Sequence, residues 1–102
     1  MNKKTIREHF RNEVLERDGN KCKFCPRTDS LDAHHITDRH DMPNGGYVKE
    51  NGITLCPEHH IQAERFHVSN GKKWHPGMHP DDLYKMIGSS FDEAIEKSVI
   101  GM

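Results

Sequence analysis

Three cysteines and one histidine are spaced as two pairs of metal ligands. Cys22-x-x-Cys25 and Cys56-x-x-His59 are separated by 30 residues between Cys25 and Cys56. A two-residue gap lets both side chains of a pair reach one tetrahedral ion, so the two pairs predict a structural zinc site with three Cys ligands and one His. The alternatives are free buried thiols or a redox CxxC motif, although the thioredoxin-like βαβ context of such a motif is absent.

Three further histidines and one asparagine follow a second pattern. His34 and His35 are adjacent, Asn51 comes sixteen residues after the pair, and His60 follows nine residues later. Hydrolysis of a phosphodiester needs a base that deprotonates water, a cation that offsets the growing negative charge, and a partner that orients the base. A strand–loop–strand–helix unit can hold all of these around one phosphate. The alternatives are that some of the histidines extend a structural zinc site, and that Asn51 is a turn residue.

The order of these residues resembles that of the HNH endonucleases of the ββα-metal superfamily. The resemblance covers about residues 10 to 68. Three segments carry it: RDGxxCxxC at 17–25, LDAHHI at 31–36 and NGITLCPEHH at 51–60. The zinc-ligand pairs alternate with the catalytic positions in the order found in that family.

The resemblance implies catalytic roles for His35, Asn51 and His60. His35 would be the general base, His34 and His60 would bind a catalytic metal, and Asn51 would brace the loop and orient the base. The family's zinc site more often ends in Cys, so His59 and His60 could exchange roles, although the spacing favours His59 on zinc. Consecutive strand residues point to opposite faces, so His34 and His35 can serve one phosphate only if the strand ends or bends there.

The function implied by the resemblance is that of a metal-dependent DNA endonuclease that leaves 5′-phosphate and 3′-hydroxyl ends. Its cofactors would be a structural Zn²⁺ and one catalytic divalent cation, Mg²⁺, Mn²⁺ or Ni²⁺; imidazole ligands favour the latter two. One active site per chain predicts nicking of one strand per encounter by a monomer or weak dimer. The alternatives are a zinc-bound DNA- or protein-binding module without catalysis, and a zinc peptidase, whose HExxH motif is absent.

The elements that position these residues can be predicted from local patterns. We expect a helix over residues 5–17, with Thr5 as N-cap and Glu8 completing a capping box. Two short strands, at 30–36 and 53–55, flank a polar loop that contains Pro43, Asn44, Gly45 and Gly46.

Three more helices are expected in the second half of the chain. Pro57 suits the first turn of a helix that ends near Val68. Two helices should follow at 80–87 and 91–100, with Ser90 as N-cap of the second. Their apolar residues are expected to pack on the core: Leu83, Met86, Ile87, Phe91, Ala94, Ile95, Val99 and Ile100.

These patterns predict an α+β fold with a small ββα-metal core and a structural zinc site. An N-terminal helix and C-terminal helices would pack around a two-stranded antiparallel sheet. The length of 102 residues favours a single domain, 1–102, with the core at about 10–68 and a C-terminal helical extension at 69–102. Only 32% of the residues are apolar, so the domain needs a metal or disulfide staple, and an odd number of cysteines argues against disulfides alone.

The net charge of −1 is not that of a strongly basic nucleic-acid binder. Contacts to the backbone of double-stranded DNA must therefore come from local groups of cations, for which the candidates are Arg39, Arg65, Lys72 and Lys73. No separate DNA-reading module is visible, so we expect low sequence specificity unless a phage or mobile-element partner protein supplies it.

No apolar run is long enough to cross a membrane, and the N-terminal residues lack the apolar stretch of a secretion signal. These features predict a cytoplasmic protein, located in the host cytoplasm if it is phage-encoded.

Several other polar residues have simpler expected roles. Glu64, four residues after His60, either orients that histidine or is an ordinary exposed side chain. Asp38 and Asp41 are expected to be solvated loop carboxylates, and Trp74 either grips a nucleic-acid backbone or caps the core. The histidines expected to lie on the surface without a role are His9, His67, His75 and His79.

Overall fold

Two short antiparallel strands form the only sheet within residues 2–100, the part of the chain that this computed structural model describes. Strand β1 spans Asp32–His35 and strand β2 spans Gly52–Leu55. Asp32 is opposite Leu55 and His35 is opposite Gly52. Both strands lie within or next to the predicted segments, and β1 ends at the second histidine of the pair.

Four helices surround this sheet, which confirms the predicted α+β class. They are α1 (Lys3–Arg17), α2 (Pro57–Val68), α3 (Pro80–Met86) and α4 (Phe91–Ile100). None of the helices described is long and apolar enough to cross a membrane.

The prediction that Thr5 is the N-cap of α1 is wrong. Asn2 holds that position, and its Oδ1 accepts hydrogen bonds from the backbone N–H of Thr5 at 2.8 Å and from the Thr5 hydroxyl at 3.0 Å. Both residue types favour N-caps. With Asn2 available, Thr5 instead becomes the third helical residue, whose N–H needs the cap.

Helix α1 packs directly on β2 at Gly52. A Cβ at this position would lie 2.5 Å from Cγ2 of Val14 and 2.8 Å from the Phe10 ring, so any larger residue would push the helix away from the sheet. The strands also contribute to the core on their other face, where Ile36, Ile53 and Leu55 are fully buried. Because α1 packs so closely on the sheet, the polar face of α1 next to this contact lies along the end of β1.

The polar segment between the strands is more ordered than a plain loop. It contains two 3₁₀ turns, at Arg39–Asp41 and Lys49–Asn51, and between them a tight turn at Pro43–Gly46 in which Asn44 and Gly45 have positive φ. Gly46 has a positive φ of 65°, and a Cβ there would lie 2.6 Å from the Asn51 amide nitrogen. Glycine therefore permits both the turn and the close approach of the buried Asn51 side chain.

Only part of the predicted apolar face of the last two helices packs on the core. Leu83 and Ala94 are buried, and Ile87 and Ile95 pack partly against the core. Ser90 accepts a hydrogen bond from the N–H of Glu93 at 3.1 Å, as expected of an N-cap. Four of the residues expected to be buried are instead exposed: Met86 at the end of α3, and Phe91, Val99 and Ile100 of α4, which meets the loop through one narrow face.

A buried ion pair joins the end of α1 to β2. The carboxylate of Asp18 accepts hydrogen bonds from Nε and Nη2 of Arg17, each at 2.9 Å, and from the Thr54 N–H at 2.9 Å. Arg17 also donates to the Gly52 carbonyl at 2.6 Å. Burial raises the pKa of Asp18, but these hydrogen bonds outweigh it and hold the pKa below its ordinary value.

Replacing Asp18 by Asn should lower the free energy of unfolding by about 2 kcal/mol at neutral pH, because a charged acceptor of several hydrogen bonds is lost. The lowered pKa of Asp18 means that its stabilisation is complete above the ordinary carboxyl pKa and disappears as pH falls through the folded-state value. The difference between wild type and Asp18→Asn, measured by urea unfolding, should therefore shrink from neutral pH towards about pH 3.

The exposed pair of Arg27 and Asp29 provides a matched control. Asp29→Asn should change the free energy of unfolding by less than about 0.5 kcal/mol. Equal effects of the two substitutions would contradict the structural importance of Asp18.

Candidate metal centres and active site

The three cysteines and His59 lie together, as their spacing predicts. Cys22 and Cys25 belong to the segment after α1, Cys56 directly follows β2, and His59 is in the first turn of α2. The ligand atoms all lie within 4.8 Å of one another. This cluster could hold a structural metal.

The separations inside this cluster fit a tetrahedral ion. Sulfur and nitrogen ligands at about 2.0–2.3 Å from zinc are roughly 3.4–3.8 Å apart. The Sγ atoms of Cys25 and Cys56 are 3.7 Å apart, and Sγ of Cys22 is 3.7 Å from Nδ1 of His59. Sγ of Cys56 is closer to the same nitrogen, at 3.1 Å.

Backbone N–H groups favour the thiolate forms of two cysteines. The N–H of His59 lowers the pKa of Cys56. Burial raises the pKa of Cys22, but the N–H groups of Cys56 and Phe24 outweigh it and lower the pKa. The N–H of Arg27 favours the Cys25 thiolate, yet burial and the neighbouring thiols leave its pKa raised. Since the thiolate is the form that binds metal, two of the three ligands are prepared for it.

A second cluster combines His34, His60 and Glu64, whose ligand atoms also lie within 4.8 Å of one another. Oε1 of Glu64 is 3.1 Å from Nδ1 of His34 and 3.2 Å from Nε2 of His60. Ligands at about 2.1 Å from one cation are roughly 3.0–3.4 Å apart at octahedral or tetrahedral angles. The carboxylate of Glu64 is thus placed as a third ligand beside the two predicted histidines.

His34 has the features of an unsatisfied ligand. It is 1% exposed, and neither ring nitrogen has a hydrogen-bond partner among residues 2–100, since the nearby Glu64 oxygen is not aligned for one. Burial lowers the pKa of His34 and keeps the imidazole neutral. A buried polar atom without a partner is costly, and a cation would satisfy the free lone pair.

The two remaining members of the cluster shift each other's pKa values in opposite directions. The hydrogen bond to Glu64 raises the pKa of His60. His34 and then His60 hold the pKa of Glu64 well below its ordinary range, so the carboxylate is ionised. The cluster therefore carries one fixed negative charge directed at two imidazoles.

The exchange of roles between His59 and His60 does not occur in the structure. The His59 ring stacks on Phe24, which lies between Cys22 and Cys25, with centroids 5.6 Å apart, and faces the cysteines. The next helical residue points about 100° away, which brings His60 to His34 instead, with ring centroids 5.2 Å apart.

His35 is held between two aromatic rings beside this second cluster. Its ring stacks on Phe10 at a centroid distance of 4.5 Å, and the Tyr47 ring meets it edge-on at 4.8 Å. Burial and then the neighbouring His34 lower the pKa of His35 to about 4, so the imidazole is neutral at physiological pH. Its Nε2 has no hydrogen-bond partner in the described part of the chain.

One cavity of about 430 Å³ connects these groups. Helix α1 forms one side, α2 the other, and the end of β1 lies between them. The cavity is lined by Arg7, Phe10, Arg11, Asp32, Ala33, His35, Asp38, Arg39, Tyr47, His60, Glu64 and His67. A neutral imidazole, a group of cation ligands and several guanidinium groups therefore share one cavity.

The prediction that His67 is an inconsequential surface residue is wrong. Its Nε2 donates a hydrogen bond to the His35 carbonyl at 2.9 Å, and its ring stacks on His34 with centroids 5.2 Å apart. His67 shares a face of α2 with His60 and Glu64, at helical spacings of three and four residues. This spacing is the feature of the sequence from which a role for His67 beside His60 and Glu64 could have been predicted.

Two arginines of α1 were also missed by the sequence prediction. Arg7 and Arg11 line the cavity beside the predicted Arg39. They are four residues apart, so one helix face presents both, but the sequence alone does not show that this face meets the sheet.

Asn51 is fully buried and does not line the cavity. Its Oδ1 accepts hydrogen bonds from the Thr37 N–H at 2.9 Å and the Tyr84 hydroxyl at 2.7 Å. Its Nδ2 donates to the carbonyls of Thr37, at 3.1 Å, and Gly46, at 3.2 Å. Asn51 therefore braces the loop, and none of its side-chain hydrogen bonds within residues 2–100 reaches His35.

The other predicted DNA contacts lie outside the cavity. Arg65 does not line it, but borders a neighbouring surface pocket that shares His60 and Glu64 with the cavity and also contains the exposed Ile61 and Val68. Lys72 and Lys73 are exposed in the loop after α2 and line neither of these pockets.

The remaining polar and aromatic residues have local roles. Trp74 packs against His79 at 4.8 Å and against Phe66 at 6.1 Å, and His79 caps α3 through the Asp81 N–H. Asp38 lines the cavity, in contrast to the exposed Asp41. His9 is exposed, as predicted, and His75 is half-buried.

In comparisons with known proteins, no protein-family model, curated protein or solved structure matches this chain significantly.

The geometry predicts that His59→Ala and His60→Ala have different effects on bound metal. Loss of His59 should weaken binding at the cysteine cluster by more than the roughly 10- to 100-fold typical of losing an outer partner of a ligand. Loss of His60 should leave that binding unchanged. Metal content after dialysis against a weak chelator would measure both, and loss of the cysteine-bound metal in His60→Ala would contradict the separation of the two clusters.

Proposed function

We propose that this chain is a metal-dependent endonuclease of the HNH type that nicks double-stranded DNA with low sequence specificity. The observation that carries the proposal is the cavity that His35 shares with His60 and Glu64, two side chains that form a cluster of possible metal ligands with the buried His34. In this proposal β1, β2 and α2 form the ββα-metal core, and the cysteine cluster with His59 binds a structural Zn²⁺ that takes no part in the reaction.

The chemical character of the cavity supports hydrolysis of an anionic substrate. Its arginines can bind phosphate oxygens, and its neutral His35 can accept a proton. A zinc-binding module without catalysis would need only the cysteine cluster. It would have no use for a second group of metal ligands beside an unpartnered histidine.

In the proposed reaction, His35 accepts a proton from water as the water oxygen attacks the phosphorus. The bond between phosphorus and the 3′-oxygen breaks, leaving a 5′-phosphate and, after protonation, a 3′-hydroxyl. A divalent cation bound by His34, His60 and Glu64 would offset the negative charge on the phosphate and the leaving oxygen. The two imidazole ligands favour a first-row transition ion, such as Mn²⁺ or Ni²⁺, over Mg²⁺.

The neighbours of His35 support the role of a positioned base. Phe10 and Tyr47 fix the plane of the ring, and His67 holds the backbone carbonyl of the same residue. The lowered pKa of His35 keeps it unprotonated, which is the form a general base needs. The cost of this arrangement is a weaker base, so the charge offset that a divalent cation at the neighbouring ligands would supply becomes more important.

The first test is nicking of supercoiled plasmid by zinc-loaded protein in EDTA, Mg²⁺ or Mn²⁺. We expect metal-dependent open circles, and a loss of about 10²- to 10⁴-fold in rate for His35→Ala. Zinc content and folding of the variant should equal those of the wild type. His9→Ala is the matched control, since His9 is exposed on the outer side of α1 and should not affect the rate.

The outcomes of this test separate the alternatives. Full activity of His35→Ala would exclude His35 as the base. If folded, zinc-loaded wild type binds DNA but does not cut with any of the metals, the binding-module alternative is favoured.

Glu64→Gln should raise the concentration of divalent metal needed for half-maximal activity by roughly tenfold or more, since a neutral amide replaces an anionic ligand. The structural zinc should remain bound. Glu58→Gln, at an exposed position in the same helix, is the control. An unchanged metal requirement in Glu64→Gln would show that Glu64 is not a ligand.

A further inference from the structure

A second basin of about 460 Å³ borders the first cavity. This basin shares Arg7, Arg39 and Tyr47 with the first cavity. We call it the α1 basin, and its lining consists of Lys3, Ile6, Arg7, Arg39, His40, Asn44, Gly45 and Tyr47. The proposed reactive site therefore lies at one end of a longer groove.

The two parts of the groove differ in charge. The first cavity contains Arg11 and the carboxylates of Asp32, Asp38 and Glu64, in addition to Arg7 and Arg39, which both parts share. The α1 basin contains Lys3, Arg7 and Arg39 and no carboxylate. Within residues 2–100, none of these three cations forms a salt bridge. The positive charge of the α1 basin is thus free to bind an anion.

The cations of α1 are arranged in a row that leads to the reactive groups. Lys3, Arg7 and Arg11 recur every four residues and lie on one side of the helix. The eight steps from Lys3 to Arg11 rise by about 12 Å. Neighbouring phosphates of one DNA strand rise by about 3.4 Å along the duplex axis and lie farther apart than that because the strand winds around the axis, so the row is long enough for at least two phosphates.

Tyr47 lies between the α1 basin and the proposed base, His35. Its ring contacts both Phe10 and His35 edge-on. Burial raises the pKa of its hydroxyl, but Arg39 and Arg7 beside it lower the pKa below its ordinary value. Arg7 on α1 and Arg39 in the loop after β1 both line the two cavities together with Tyr47, so the two guanidinium groups lie next to the reactive cavity.

We propose that the α1 basin binds a non-reacting phosphate of the same nucleic-acid strand, next to the phosphate that is cleaved. This inference rests on the proposed nuclease function and narrows its substrate class. The enzyme would select a polynucleotide strand with several consecutive phosphates over an isolated phosphodiester. Arg7 and Arg39 would bind the second phosphate. The DNA strand would then run along α1 towards the N-terminus of this helix.

The test compares a fluorescent DNA oligonucleotide with bis(p-nitrophenyl) phosphate, which has only the reacting phosphate. In Arg7→Ala, kcat/KM for the oligonucleotide should fall by about 10- to 100-fold more than kcat/KM for the small diester. Arg7→Lys should recover part of this difference. Arg27→Ala, which removes an exposed arginine outside the groove, should leave the ratio of the two activities as in wild type.

A binding measurement tests the basin without cleavage. Fluorescence anisotropy of the same oligonucleotide with His35→Ala protein should show a salt dependence whose logarithmic slope falls by about one when Arg7→Ala is added. A proportional loss on both substrates, or unchanged oligonucleotide binding and salt slope, would overturn the α1 basin. If wild type cleaves neither substrate, the nuclease proposal fails, while the anisotropy result still decides whether the basin binds a strand.

Discussion

The buried amide of Asn51 is the constraint on which the shape of the cavity depends. An unsatisfied buried polar group costs about 1–3 kcal/mol, so all four hydrogen bonds of this amide must form together. They fix Thr37, at the start of the segment between the strands, and Gly46, near its middle, and attach them to Tyr84. Tyr47 directly follows Gly46, so the position of Gly46 determines where that ring meets His35.

The start of α2 combines two separate metal-ligand clusters. Cys56 and His59 face Cys22 and Cys25, while His60 and Glu64 face the end of β1. The helical rotation of about 100° per residue separates neighbouring side chains, and a spacing of four residues brings side chains back to the same face. A metal held by the cysteine cluster would anchor this helix and thereby position the second cluster, without contacting the substrate.

The distribution of charge makes the groove asymmetric. A chain with a net charge of −1 has no general attraction for a polyanion. Along the groove, however, the carboxylates of Asp32, Asp38 and Glu64 all line the first cavity, whereas the charged residues of the α1 basin are all cations. The carboxylate end suits a divalent cation and the basic end suits phosphate. The neutral His34 and His35 between them owe their lowered pKa values mainly to burial.

The sequence by itself determined the features that depend on local spacing. The ligand pairs around Cys22 and Cys56, the α+β class and the helix after Pro57 could all be predicted, because short gaps and local turns fix their geometry. The tertiary structure alone decided which helix faces meet the sheet. It brought His67 and Arg7 to the cavity and left Phe91 exposed. These outcomes depend on contacts between distant segments, such as α1 against Gly52, and a helical pattern does not show which partner covers each face.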